Sequence, residues 1–356
     1  MMNEIAFATL LRGGVVWVID VGHSYRKTCD LLSGEYLQFS ETDVWNLNPL
    51  QLLSPGSVDR LDDVVSVLNE LLMPAQRFTA LERSALTQAI DRTVKWAHFE
   101  EHRTATPRDL DAFLAQSAVG DHRIADLRAM LTPYLGPFAK WFDGTGKPLT
   151  FQNRFTVLEL EGLSGHPALR QTVLMMLMLI IDETMARDRT TIKAVLIDEA
   201  WDLMGKGQSG SFIESGFRRA RKHKGSFVVA TQALGDFWLS PTARAAWSCA
   251  DTRFFLRQDT DQVATLMTRG DFVADEGFLA TLKSLTTVAG QYSEILVQTG
   301  DCPPAVGRLT IDRLSQLLFS SNPAEVTAIQ AWREAGADIL TALQNVAAGR
   351  FAPARN

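Results

Sequence analysis

The first chemical signal in this sequence is a pair of adjacent carboxylates at the end of an apolar run. Within TTIKAVLIDEAWDLM, Thr190 to Met204, the run Ala194–Ile197 carries no charge, and Asp198 and Glu199 follow it directly. A short, continuously apolar run reads as a strand buried on both faces of a sheet. In a parallel sheet the carboxyl end of such a strand opens into the ligand crevice. Two acids there have separate uses: Asp198 can hold Mg²⁺ through a bound water, and Glu199 can orient an attacking water for phosphoryl transfer. This is the pattern of a Walker B element. The competing reading is a strand that ends in two solvated acids, and a pattern this short does not separate the two.

Its neighbours bear on the choice. A second apolar strand, SFVVATQ, ends in Thr231 and Gln232. Gln232 would stand beside the acids and can sense a γ-phosphate through a hydrogen bond. The intervening helix ends in RRARKHK, Arg218 to Lys224. Arg218, Arg219 and Arg221 are candidates for an arginine finger, including one acting on a neighbouring subunit's nucleotide. They also read as a solvated basic face that suits a helix C-terminus.

A carboxylate pair of this kind needs a phosphate-binding loop, and no G-x-x-x-x-G-K-[ST] occurs in the 356 residues. DGTGKP, Asp143 to Pro148, resembles one. There Pro148 follows Lys147 where a Ser or Thr should bind Mg²⁺ and a helix should begin. MGKGQSG, around Lys206, lacks a preceding strand. HFEEH puts His98 and His102 at i, i+4, but a zinc-protease helix needs Glu directly after the first His and Phe99 stands there. A solvated helix face fits those histidines better. The eight tryptophans are scattered, as core anchors would be.

The elements that must position these residues follow from periodicity. MMNEIAFATLLR reads as a helix stopped by Gly13-Gly14, VVWVID as a buried strand ending at Asp20, SYRKTCDLLSG as a helix and EYLQF as a strand. From about Ser57 to Gly144 only helical patterns occur. Thr79 with Glu82 forms a capping box, and Thr106 caps a helix that begins at Pro107. Strand and helix then alternate again: FTVLELEGL, a buried helix Pro167–Met185, the strand before Asp198, a helix ended by Gly225, SFVVATQ and TRFFLR. Asp259 caps a helix, EILVQT and VGRLTI form a hairpin, and Asn322 caps a final amphipathic helix. Alternation of this kind predicts a parallel sheet with helices on its faces, interrupted by an all-helical insertion.

Composition narrows the class. The formal charge of −6, from 35 basic and 41 acidic residues, gives no whole-molecule attraction to nucleic acid. Cys29, Cys249 and Cys302 lie far apart and imply neither a disulfide framework nor a zinc site. No signal peptide is evident. The longest apolar run, Val173–Ile181, is about half of a membrane span.

Taken in order, VVWVIDVGHSYRKTCDLLSGEYLQF…LNPL, VLIDEAWDLM, FIESGFRRARKHKGSFVVATQ and TRFFLRQ resemble the TraC-type ATPases of conjugative type IV secretion systems, RecA-fold motors. The resemblance runs from Asn3 to the mid-340s and implies an α/β fold with a RecA-like P-loop NTPase core. In that family the Walker A loop directly precedes a helix similar to MNEIAFATLLRGG. The resemblance therefore implies that the chain lacks the Walker A loop and the first strand leading into it. That strand is internal in RecA-type sheets, so its neighbours would expose apolar side chains and unpaired backbone groups. The implied organisation is the first part of the core over 1–56, the insertion over 57–144, the rest of the core over 145–311, and C-terminal helices and tail over 312–356.

The resemblance also implies site roles. Asp198 is the Walker B aspartate, Glu199 the catalytic glutamate and Gln232 the sensor. Arg218, Arg219 and Arg221 belong to the basic motif, and Asp20 faces the site. The implied cofactors are ATP and Mg²⁺. The implied partners are other type IV secretion components and further copies of the chain, with a cytoplasmic location at the inner membrane reached through partners. Without Walker A the chain alone should hydrolyse ATP poorly. Two other readings stand beside this one: a non-catalytic remnant or interaction module, and a DNA-translocating coupling-type ATPase.

Overall fold

A computed structural model of the chain describes residues 1–40, 42–56, 60–73, 76–117, 121–198, 216–217 and 219–350. Glu199 and Arg218 lie outside the described residues.

Val- and Ile-rich runs form the centre. Strands β1 (Val15–Asp20), β2 (Glu35–Gln38), β3 (Phe155–Glu159), β4 (Lys193–Ile197) and β5 (Gly225–Val229) make one parallel sheet in the order β2-β3-β1-β4-β5. Every residue of β3 and β4 is buried, and all of β1 except its first. Alternation distributes their side chains between two layers. Val16, Val18, Ala194 and Leu196 pack toward α1 (Met2–Leu11) and α2 (Arg26–Leu31). Trp17, Ile19, Val195 and Ile197 pack with α8 (Pro167–Arg187), the long apolar helix. Each such Val, Leu or Ile side chain, fully withdrawn from water, contributes about 1.5–3 kcal/mol.

Among the described residues, five helices stand between β2 and β3: α3 (Leu61–Leu72), α4 (Ala80–Phe99), α5 (Pro107–Ser117), α6 (His122–Leu135) and α7 (Ala139–Phe142). The expected capping box is formed at Thr79 and Glu82. At α5, Thr106 and Asp109 exchange the same reciprocal bonds. Helix α3 faces two ways. Val64, Val65 and Leu68 build a separate core with α4 and α5, while Val67, Leu71 and Leu72 join the main core. Leu127 and Leu131 of α6 and Trp141 and Phe142 of α7 join the main core as well, so the insertion is anchored along three helices.

Three expectations are corrected. The helix before β5 does not end on Gly225: Lys224 takes the left-handed conformation (φ +53°) and Gly225 opens the strand. A Cβ at Gly225 would lie 2.8 Å from the Met185 sulfur and 3.2 Å from the Ala220 carbonyl, so a larger residue there would have to push the Met185 side chain of α8 aside. TRFFLR does not extend the parallel sheet. Strand β6 (Thr252–Phe255) pairs antiparallel with β8 (Tyr292–Thr299), beside the short β7 (Thr287–Val288), and the hairpin strand β9 (Ala305–Leu309) lies on β8's other side. A separate aromatic core holds this sheet, with Phe255 and Phe272 among Trp238, Trp247 and Phe278. Finally, Asn322 does not cap the last helix. After α9 (Pro241–Cys249), α10 (Thr260–Thr268), α11 (Glu276–Ser284) and α12 (Arg313–Phe319) come α13 (Pro323–Glu334) and α14 (Ile339–Ala347), separated at Gly336 (φ +93°). Lys27 joins this C-terminal group to α2 by donating to the carbonyls of Leu317 and Ser320 at 2.7 and 2.6 Å.

Candidate active site at the carboxyl ends of the strands

The parallel register brings the strand ends level. Asp20 pairs with Glu159, and the Asp198 amide donates to the Ile19 carbonyl at 3.0 Å. Three carboxylates from β1, β3 and the end of β4 therefore converge on one edge of the sheet. Asp20 is wholly buried and Glu159 nearly so, while Asp198 is half-buried. Burial first, then the charges of Glu159 and Asp198, push the Asp20 carboxyl up from 3.8 to about 7.

Glu159 is the hub of the turn between β1 and α2. It accepts from the backbone amides of His23 (2.8 Å), Gly22 (3.2 Å) and Glu161 (2.9 Å) and from the Tyr36 hydroxyl (3.1 Å). This turn needs positive φ at Gly22 (+112°) and His23 (+60°). Glycine meets the first demand at no steric cost, and the His23 ring is held by Tyr36 and Glu159. Past the turn, Asp20 accepts from the Tyr25 amide (3.3 Å), and the Tyr25 hydroxyl donates to Asp198 (2.8 Å).

The other candidates are arranged differently. Gln232 is exposed, two residues beyond Ala230, whose amide continues the ladder to the Ile197 carbonyl at 2.9 Å. The segment after it is pinned where Gln258 accepts from the Leu234 amide (3.0 Å). Arg221 is exposed. Arg219 points toward the insertion, 3.3 Å from Asp63 and 3.6 Å from Asp182, and Arg60 binds the same two acids at 3.3 and 2.6 Å. DGTGKP serves the architecture, because Lys147 bridges to Trp45 beside β2. Sequence reasoning missed Glu159 and Tyr25. Glu159 could have been noticed as an acid ending another apolar strand. Nothing local marks Tyr25.

Carboxylate oxygens suit a hard cation such as Mg²⁺, which keeps several waters and binds through one or two carboxylates plus phosphate. Among the described residues no group of three or more His, Cys, Asp or Glu side chains forms a metal cage. The orphaned Asp20 Oδ1, buried without a hydrogen-bond partner, supplies additional acceptor capacity at this edge.

The model of the TraG P-loop domain matches residues 1–350. The chain belongs to the TraG P-loop domain family. As a TraG P-loop chain it is 27% identical over 377 aligned residues to protein TraC of Escherichia coli strain K12, covering 99% of this chain and 41% of TraC. It thus spans well under half the length of that relative. VirB4 of Thermoanaerobacter pseudethanolicus shares the fold, with a TM-score of 0.66 and 19% identity over 90% of this chain and 86% of that one. So does the plasmid coupling protein TrwB in complex with ADP and Mg²⁺, with a TM-score of 0.56 and 15% identity over 87% of this chain and 82% of that one. Among the described residues of this TraG P-loop chain, no helix is long and apolar enough to cross a membrane.

Proposed function

We propose that the chain is the ATPase domain of a conjugative type IV secretion motor, energising pilus assembly and substrate transfer. The reading rests on one observation: a chain that aligns with TraC along 99% of its length carries Asp198 at the mouth of a buried central strand. Bound Mg²⁺ would neutralise charge on the transferring phosphoryl group. Asp198 holds it through water, Glu199 orients the attacking water, and Gln232 senses the γ-phosphate. Asp20 lines the nucleotide side. An arginine among Arg218, Arg219 and Arg221 completes a site, within the chain or on a neighbouring copy. We further propose that the motor works as a homo-oligomer at the cytoplasmic face of the inner membrane, held by other secretion components. Residues 1–56 and 145–311 form its core, 57–144 the insertion and 312–356 the C-terminal part.

The phosphate-binding loop such a motor uses is not among these 356 residues. ATP hydrolysis by the isolated chain is therefore expected to be slow, and to rise when a segment carrying a strand and G-x-x-x-x-G-K-[ST] is joined ahead of it. In that extended protein Glu199→Gln should lower turnover by about 100-fold or more. Equal turnover with and without that substitution would overturn the assigned roles.

The likeness to TrwB favours one second reading, a coupling-type ATPase that moves DNA. Salt-dependent DNA binding by the purified chain would support it.

A further inference from the structure

The β1–α2 turn does more than connect two elements. Tyr25 is 1% exposed, and the site proposed above assigns its hydroxyl no chemical role. A buried phenol normally finds a partner for its O–H. Here the partner is the Asp198 carboxylate, 2.8 Å away, and the ring is set by its own backbone, whose amide donates to Asp20. The turn before it is tied down by Glu159 through the Gly22 and His23 amides. The chain of contacts runs from β3 and β1, through the turn, to one oxygen of Asp198. Burial, and then the Asp198 charge, hold the Tyr25 phenol well above its ordinary range, so the hydroxyl keeps its proton and donates.

We propose that Tyr25 is a positioning residue for Asp198: its hydroxyl occupies Oδ2 and sets the carboxylate's rotation, and with it the direction in which the group meets the metal's water. The inference rests on the ATPase reading, because it assigns Asp198 to Mg²⁺. A tyrosine serves where phenylalanine would not. The ring fills the α1/α2 side of the core with Val16, Val18 and Cys29, and only the oxygen reaches the carboxylate. A carboxylate already held by such a donor does not have to be ordered again when the cation arrives.

Two measurements test this, with Tyr25→Phe as the variant. Tyr134→Phe is the control, since that buried hydroxyl donates to the Leu71 carbonyl in the insertion. The first is a double-mutant cycle on melting temperature without metal or nucleotide, combining Tyr25→Phe with Asp198→Ala, or with Asp198→Ser should the alanine variant not fold. The losses should be non-additive by about 2 °C or more. Additive losses overturn the clamp. The second is Mn²⁺ binding in the presence of ADP, followed by electron paramagnetic resonance in the extended protein that carries the strand and G-x-x-x-x-G-K-[ST] ahead of this chain. Tyr25→Phe should weaken it about tenfold, the size expected for losing a hydrogen bond to a charged group, and Tyr134→Phe should not. Wild-type binding that Tyr25→Phe leaves unchanged overturns the positioning role while the ATPase reading stands. No wild-type binding overturns the metal role and the nucleotide reading together, and a non-additive cycle would then assign Tyr25 a purely structural bond.

Discussion

Asp20 and Glu159 end strands buried almost throughout, and Asp198 follows a third, whereas Arg219 and Arg221 lie around a helix end at the margin of the sheet. On the acidic side, hydrogen bonds from one tight turn fix the carboxylates before any ligand arrives. On the basic side, Arg219 is engaged with Asp63 of the insertion and Asp182 of α8. Strand ends in a parallel sheet are held by neighbours on both sides, so charge placed there stays put even when repulsion raises its cost. A guanidinium on a long side chain takes the nearest acids, and here those acids couple it to the insertion. An arginine finger at position 219 would first have to leave that network.

The contrast can be tested by removing charge from each side. The largest effect is expected at Asp20. Its folded-state carboxyl titrates near 7 against an ordinary 3.8, so between those values the folded protein holds a proton that the unfolded chain has released. Stability from this group therefore falls as pH rises from about 4 to about 7, by up to roughly 4 kcal/mol. Asp20→Asn should raise the melting temperature at pH 8, with the gain shrinking toward zero near pH 4. A pH-independent effect would mean that Asp20 is not a buried, repelled acid.

Asp182→Ala should cost about 3 kcal/mol in chemical denaturation, because it removes the more buried of the two acids that Arg60 and Arg219 share and leaves Asp63 to serve both. If the loss is instead near zero, the basic side is not tied to the insertion as described. Thr79→Ala, which breaks the capping box of α4, should cost about 1 kcal/mol and leave the pH profile of Asp20 unchanged, since it touches neither side. Lys95→Ala removes an exposed i, i+4 pair with Asp91 and should change stability by less than about 0.5 kcal/mol. A larger loss would mean that exposed pairs matter here as much as buried ones.

The strands and Asp198 were legible because a run such as AVLI has few places to go except a sheet interior, and an acid after it must lie at the sheet's edge. Caps were legible because Thr79–Glu82 and Asp259–Gln262 act within four residues. The turn's hub was not: Glu159 binds amides 136 and 137 residues away, and that pairing exists only once β1 and β3 are in register. For the same reason nothing in RRARKHK indicates that Arg219 meets Asp63. TRFFLR has a strand's composition, but its partner is set by the later hairpin and the aromatic cluster around Trp247, beyond the reach of local pattern. Alternation of strand and helix supplied the α/β class and the helical insertion, the family resemblance added the RecA-like core, and the TraG P-loop match and the VirB4 likeness agree with the α/β assignment.

The β5 margin of the sheet bears on how the protein behaves in a tube. Strand β5 pairs with β4 on one side only among the described residues, and its sequence GSFVV carries no charge and is only partly covered. A bare, uncharged edge is a template on which another extended chain can add. Concentration-dependent clouding and a shortened shelf life are the expected consequences. A lysine at exposed Ser226, whose side chain is not part of the buried core, is the simplest way to make that edge repel its own kind.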